Sequence, residues 1–177
     1  VEPLPSTSLR GEASAPLISV CIPARNEKRN IGRCVEAVLA QDYPNFEVIV
    51  LDDRSTDATP EVLRGYASQN DTMRVLHGVD LPAGWAGKPH ALYQTAKVAS
   101  GEWLCFIDAD TFLAPQALSA TYTKALETRA DMLELHADEE RGLGRERRKR
   151  RRMVWRRVNR LRDGEAEDGW STVRREA

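Results

Sequence analysis

The sequence predicts an α/β fold built on a mostly parallel sheet, and three observations carry that expectation. Short apolar runs recur at residues 17–22, 46–51 and 103–107. Stretches of helical periodicity separate them, so strand and helix alternate as in βαβ units. Two of the runs end abruptly in carboxylates, Asp52-Asp53 and Asp108-Ala109-Asp110. Charge is costly inside a strand buried on both faces, so these acids are expected where the strands leave the core.

Each element can be justified in turn. Residues 1–16, rich in Pro, Ser and Glu, read as a flexible leader. The first strand covers 17–22 and is expected to stop at Pro23. Asn30 can cap a helix whose apolar face is Ile31, Val35, Val38 and Leu39. Residues 46–51 make a second strand. Thr59-Pro60 reads as an N-cap followed by proline at the first helical position, with Val62, Leu63 and Tyr66 continuing that helix. A short third strand at 73–76 precedes a helix over 89–99, and Gly101 leads into the strand at 103–107. Pro115 opens a helix through Leu118, Tyr122 and Leu126, and 132–135 form a last strand. After His136 the pattern ends. The expected organisation is a leader (1–16), a folded domain (17–136) and an arginine-rich tail (137–177).

A chain of 177 residues with 41% hydrophobic residues can bury one sizeable core. Its net charge of −1 conceals a split. Residues 1–134 carry 18 acids and 12 bases, whereas 135–177 carry 9 acids and 14 bases. Cys21, Cys34 and Cys105 all fall in apolar segments. That argues against a disulfide framework or a zinc site and fits a reducing cytoplasm. No stretch approaches the roughly 18–20 apolar residues of a membrane span. No signal peptide is visible, and because the chain begins at Val1 it is expected to be a piece of a longer protein.

The carboxylate-ended strands carry the chemistry. In open α/β sheets, ligands bind beyond the carboxyl ends of the strands. Asp108 and Asp110 supply two hard oxygen donors, suited to Mg²⁺ or Mn²⁺ carrying a phosphate. An acidic loop capping the next helix explains them equally well when they are taken alone. Asp52 and Asp53 repeat the logic on a second strand, where they could accept hydrogen bonds from a nucleobase or ribose; a simple turn is the alternative. Pro23-Ala24-Arg25-Asn26-Glu27 follows the first strand and could grip a nucleoside through its backbone, Asn26 and Glu27. Lys88, in the glycine-punctuated loop 81–89, could set its ammonium against a diphosphate at a helix N-terminus, or could be a solvated surface lysine. The spacing is not that of a P-loop. His77, His90 and His136 show no metal-site spacing.

In order and together, five elements make the sequence resemble the family 2 glycosyltransferases. They are Ile18-Ser-Val-Cys-Ile-Pro-Ala-Arg-Asn-Glu27, Gln41-Asp-Tyr-Pro44, Val48-Ile-Val-Leu-Asp-Asp-Arg-Ser-Thr-Asp57, Gly87-Lys88 and Asp108-Ala-Asp110. The resemblance covers residues 17–135. The wording of 81–88 looks most like bacterial members acting on carotenoid, hopanoid or other lipid acceptors. This resemblance implies a GT-A, Rossmann-like fold that binds a nucleotide-diphospho-sugar, usually a UDP-sugar, with Mn²⁺ or Mg²⁺. It implies that Asp52 or Asp53 contacts the base, helped by Pro23, Ala24, Asn26 and Glu27. It places Asp108 on the ribose, Asp110 on the metal, Ala109 between them and Lys88 near the diphosphate. Both Asp108 and Asp110 are candidate metal ligands. The reaction implied is sugar transfer to an acceptor hydroxyl, plausibly on a lipid, which requires a general base. The family takes that base from a later acidic motif. Asp138-Glu-Glu140 and the acids of 163–168 follow no strand-like segment, so no catalytic residue is assigned.

Val154, Val158 and Leu161 share a helical face with Trp155 beside it, among many arginines. A basic amphipathic helix of this kind could lie on an anionic membrane surface, at the inner face of the cell membrane. It could also bind nucleic acid nonspecifically, although a specific nucleic-acid partner is not expected. A solvated, disordered tail is the plainer reading and is placed first. The rival to an active enzyme is a non-catalytic nucleotide-sugar-binding fragment.

Overall fold

The computed structural model describes residues 15–136 and 152–157. It contains β1 (Ile18–Ala24), α1 (Ile31–Leu39), β2 (Phe46–Asp52), α2 (Thr59–Ala67) and β3 (Met73–His77). These are followed by α3 (Gly87–Val98), β4 (Trp103–Ile107), α4 (Ala117–Thr128), β5 (Met132–His136) and β6 (Arg152–Arg157). The six strands form one sheet in the order β3-β2-β1-β4-β6-β5. β3, β2, β1 and β4 are parallel, and β6 runs antiparallel between β4 and β5. The expected α/β architecture with a mostly parallel sheet is the one found.

Alternation decides what each strand offers to either face. Ile18, Val20 and Ile22 of β1 join Val48 and Val50 of β2 in the main core, against Ile31, Cys34, Val35 and Val38 of α1 and Leu118 and Ala125 of α4. The helix α3 packs over β1 and β2 and buries Ala91 and Thr95, the latter bonded to Cys21 of β1. Gln41 joins two layers from inside. Its Nε2 donates to the Ala37 and Ala114 carbonyls at 2.9 and 2.8 Å, and its Oε1 accepts from the Leu118 N–H at 2.9 Å. The start of α4 has no side-chain cap of its own, so Gln41 supplies one from the turn after α1.

Several sequence expectations need correction. β1 does not stop at Pro23 but runs to Ala24. Ala24's carbonyl accepts from the Asp53 N–H on the β2 side at 2.8 Å, so Pro23 faces β4. The β1–β4 ladder ends at Cys21–Phe106, and the missing proline N–H falls where no ladder bond is required. Asn30 stands at the N-cap of α1 without a capping side-chain bond; its Nδ2 donates instead to Glu27 Oε2 at 3.1 Å. Ala58 is the N-cap of α2 and Thr59 lies inside the helix, because Asp57 Oδ1 accepts from both the N–H and the hydroxyl of Thr59. Leu126 is exposed, and α4 buries Leu118, Thr121 and Ala125 instead.

The largest correction concerns the arginine-rich region. Over Arg152–Arg157 the chain is the strand β6, not an amphipathic helix or a tail apart from the domain. Period two wins because Met153 and Trp155 both point into the main core, with Trp155 fully buried. Trp155 ends an aromatic chain, its ring centroid 6.3 Å from Trp103, which is 6.2 Å from Tyr122, itself 5.7 Å from Tyr43. Val158 and Leu161, the other members of the expected helical face, lie outside the described residues, as do residues 1–14 of the leader.

Candidate functional site

The direction of chain crossover reverses at β1, which has β2 on one side and β4 on the other. Such a reversal leaves a crevice at the carboxyl edge of the sheet. Here the splay is visible in the register, because β1 pairs with β2 through Ala24–Asp52 but with β4 only as far as Cys21–Phe106. A cleft of about 620 Å³ occupies this point. It is lined by Pro23, Ala24, Arg25 and Glu27 after β1, Asp53 after β2, Asp108, Ala109 and Asp110 after β4, and Gly87, Lys88 and Ala91 at the start of α3.

One wall is the pair of loops that follow β1 and β2, and it is knitted by side-chain to backbone bonds. The Asn26 N–H donates to Ser55 Oγ at 2.9 Å, and Asn26 Oδ1 accepts from the Thr56 N–H at 2.8 Å. The Glu27 N–H donates to Thr59 Oγ1 at 2.9 Å, and the Lys28 N–H to Asp57 Oδ2 at 3.3 Å. These bonds hold Asp57's carboxyl below its ordinary range, the Thr59 hydroxyl being the main cause. Both loop tips turn through the left-handed region, at Asn26 (φ 56°) and Arg54 (φ 58°). The Asn side chain tolerates that region far better than the Arg.

The two adjacent acids of this wall part company. Asp52, 4% exposed, accepts from the Ser55 N–H at 3.2 Å and shapes the turn. Asp53, 8% exposed, lines the cleft. Arg54 Nε lies 3.4 Å from Asp53 Oδ1, and Arg25 Nη1 lies 3.9 Å from Oδ2. Gly78 allows the chain leaving β3 to press against this acid. A Cβ there would lie 2.8 Å from Asp53 Oδ1 and 3.0 Å from its Cα.

The other wall joins β4 to α3. Lys88 Nζ donates to Asp108 Oδ1 at 2.6 Å, the lysine side chain being 59% exposed and the aspartate's 27%. The Asp108 carbonyl closes the turn by accepting from the Thr111 N–H at 2.9 Å and lies 3.7 Å from Cys34 Sγ on α1. Burial, then the charges of Asp110 and Asp108, push the Cys34 thiol up to about 12, so it stays a neutral donor. The N-terminal residues Gly87 and Lys88 bring the positive end of the α3 dipole to this wall.

Of the residues singled out from the sequence, Pro23, Ala24, Glu27, Asp53, Lys88, Asp108, Ala109 and Asp110 meet on the cleft. Asn26 and Asp52 do not line it; they fasten and shape the loops that do. Sequence reasoning missed Arg25, Gly87 and Ala91 as lining residues. Arg25 was legible, flanked on both sides by selected residues, while Ala91 shows only once α3 is placed. The acids at 138–140 and 163–168 lie outside the described residues.

Asp108 and Asp110 suit a divalent cation in their chemistry. Both carboxylates reach one cleft, and a lysine ammonium already sits on one of them. Among the described residues no group of three or more His, Cys, Asp or Glu could hold a metal, so the protein would supply few donors. Mg²⁺ and Mn²⁺ match such a set, since they keep waters and take phosphate oxygens beside one or two carboxylates.

Open α/β sheets take their ligands in a cleft of this kind, at the carboxyl edge. The profile described as Glycosyl transferase family 2 matches residues 19–174, and the chain belongs to that family. The glycosyltransferase GlyG of Streptococcus pneumoniae serotype 4 is 32% identical over 117 residues, 66% of this chain and 38% of its own length. The 4,4'-diaponeurosporenoate glycosyltransferase of Staphylococcus aureus is 40% identical over 103 residues, covering 57% of this chain and 26% of that protein. Among solved structures, S. aureus TarS 1-349 in complex with UDP matches with a TM-score of 0.56 and 28% identity, over 65% of this chain and 33% of that one. The mannosyltransferase PcManGT from Pyrobaculum calidifontis, in complex with GDP-Man and Mn²⁺, gives 0.55 and 30%, over 63% and 32%. The chain thus spans between a quarter and two-fifths of the length of these relatives.

Proposed function

We propose that the cleft is the donor site of a glycosyltransferase, binding a nucleotide-diphospho-sugar with Mn²⁺ or Mg²⁺ and passing the sugar to an acceptor hydroxyl. The observation that carries this reading is the charge of the cleft. Four acids line it, Glu27, Asp53, Asp108 and Asp110, against two bases, Arg25 and Lys88. An anionic diphosphate enters such a cleft only with a cation to bridge it to the carboxylates. The relatives bound to UDP and to GDP-Man with Mn²⁺ support the same reading.

In this reading Asp53 accepts a hydrogen bond from the base and Arg25 donates beside it. The knitted loops after β1 and β2 hold the nucleoside, and Lys88 with the start of α3 faces the diphosphate. Asp108 and Asp110 would hold the metal, which when bound neutralises charge developing on the departing nucleotide diphosphate. A lipid acceptor is supported by the diaponeurosporenoate relative and by the exposed Val79 and Leu81 in the loop entering α3. No helix among the described residues is long and apolar enough to cross a membrane.

Calorimetric titration of the full chain with UDP and GDP, with and without Mn²⁺, tests the donor site. UDP is expected to bind in a Mn²⁺-dependent manner, with Asp110→Ala weakening it by about 100-fold, the upper end of losses at outer-shell metal partners. Equal UDP binding by wild type and Asp110→Ala in Mn²⁺ would sink the metal assignment.

A further inference from the structure

We propose that Lys88 is a positioning residue that stands in for the divalent cation at Asp108 and moves to the donor diphosphate when that cation arrives. The inference deepens the donor-site reading and rests on it.

The structure supplies the starting state. Lys88 Nζ lies 2.6 Å from Asp108 Oδ1, at the distance of a charge-assisted hydrogen bond. A Mg²⁺ or Mn²⁺ ion binds carboxylate oxygen at about 2.1 Å. Both cations cannot use the same oxygen lone pairs, and two positive charges on one carboxylate repel. The ion therefore binds Asp108 either after displacing the ammonium or against its charge.

The ammonium also has somewhere to go. Its side chain is 59% exposed, and Lys88 is the second residue of α3, on the cleft where the diphosphate would lie. A lysine is a point charge on a flexible stem, so it can change partners without moving the helix. A nucleotide diphosphate would give it a new anion at the moment the metal takes the old one.

Linkage then fixes the sign of each effect. Metal alone must displace the ammonium or bind against its charge, with nothing gained by the lysine. Metal with nucleotide breaks it while the lysine gains a phosphate, so each ligand helps the other. Removing the ammonium should strengthen binding of metal alone, weaken binding of UDP alone, and shrink their mutual enhancement. A lysine that only touched phosphate would leave metal-alone affinity unchanged.

The experiment is Mn²⁺ titration of the full chain, read by electron paramagnetic resonance of free Mn²⁺, with and without UDP, for wild type, Lys88→Met and Lys88→Arg. Lys88→Met is expected to bind Mn²⁺ alone about twofold more tightly, the effect of losing an exposed ion pair. Its UDP-induced enhancement of Mn²⁺ binding should fall by the same factor or more. Lys88→Arg keeps the charge and should stay near wild type. Mn²⁺ affinity that is unchanged or weaker in Lys88→Met, or an arginine variant that behaves like methionine, overturns the exchange. Those failures leave the donor site standing if wild type still binds Mn²⁺ with UDP. Wild type that binds no Mn²⁺ even with UDP overturns both.

Discussion

The two walls of the cleft are built differently. The wall after β1 and β2 is tied by five bonds between the loops, at Asn26–Ser55, Glu27–Thr59, Lys28–Asp57 and, through both the N–H and the hydroxyl of Thr56, at Asn26. The wall of β4 and α3 is joined across its two elements by the exposed pair Lys88–Asp108. Several bonds must open together before these loops part, and the one between Glu27 and Thr59 is part-buried, so opening it leaves a donor unpaired. An exposed ion pair costs little to exchange. On the proposed reading this is a division of labour: a preformed surface for the nucleoside, and an adjustable one where charge is rearranged.

The comparison can be broken most severely by removing the floor beneath both walls. Burial pushes the thiols of Cys21 and Cys34 up to about 12 from an ordinary 9.0, and that of Cys105 well above its ordinary value. The folded protein keeps these protons while the unfolded chain releases them above pH 9. Stability from Cys21 and Cys34 is therefore complete below pH 9 and falls between 9 and 12, by about 1.4 kcal/mol per pH unit for each of the two, and burial of Cys105 acts in the same direction. Urea midpoints taken from pH 8 to 11 should decline steeply, and a flat profile would contradict the burial of these thiols.

A smaller perturbation targets the support of β4 alone. Trp155→Ala should cost about 3–5 kcal/mol in denaturant unfolding, as expected for a buried tryptophan. Trp155→Phe should cost much less, because among the described residues the Trp155 Nε1–H has no hydrogen-bond partner that its loss would leave unpaired. An alanine variant as stable as wild type would remove β6 from the core.

The smallest effects sharpen the contrast between the walls. Thr59→Val removes the hydroxyl that accepts from the Glu27 N–H and should cost about 1–2 kcal/mol of stability. Lys88→Met should cost under about 0.5 kcal/mol. Equal costs in side-by-side urea melts would mean that the walls are not built differently after all.

Much of this was legible in the sequence, for definable reasons. The runs that became β1, β2 and β4 carry apolar residues on both faces, and those of β2 and β4 end in acids, so strand, burial and edge follow from one pattern. The choice between Asp52 and Asp53 was not legible. Neighbouring residues on an extended chain point opposite ways, so only one could face the cleft, and which one depends on the register Ala24–Asp52. The strand β6 was hidden for a similar reason. Met153 and Trp155 alternate over too short a span to outweigh the helical spacing of Val154, Val158 and Leu161. Only β4 and β5, far away in sequence, tell the chain which period to adopt. Lys88 was read as facing solvent or phosphate, whereas its carboxylate partner lies twenty residues on, at the end of another strand.

The placement of β6 has a consequence for the making of the protein. The last strand described in sequence is the fifth in space, wedged between β4 and β5. While the chain is being synthesised, β4 can pair with β1, but its other edge has no partner until residues 152–157 have emerged. At about 5–20 residues per second that interval lasts roughly 3–10 s. Throughout it an apolar strand edge and the ring of Trp103 await their cover, so a nascent chain is most open to chaperone capture, or to pairing with a neighbour, at the half of the sheet that completes the cleft.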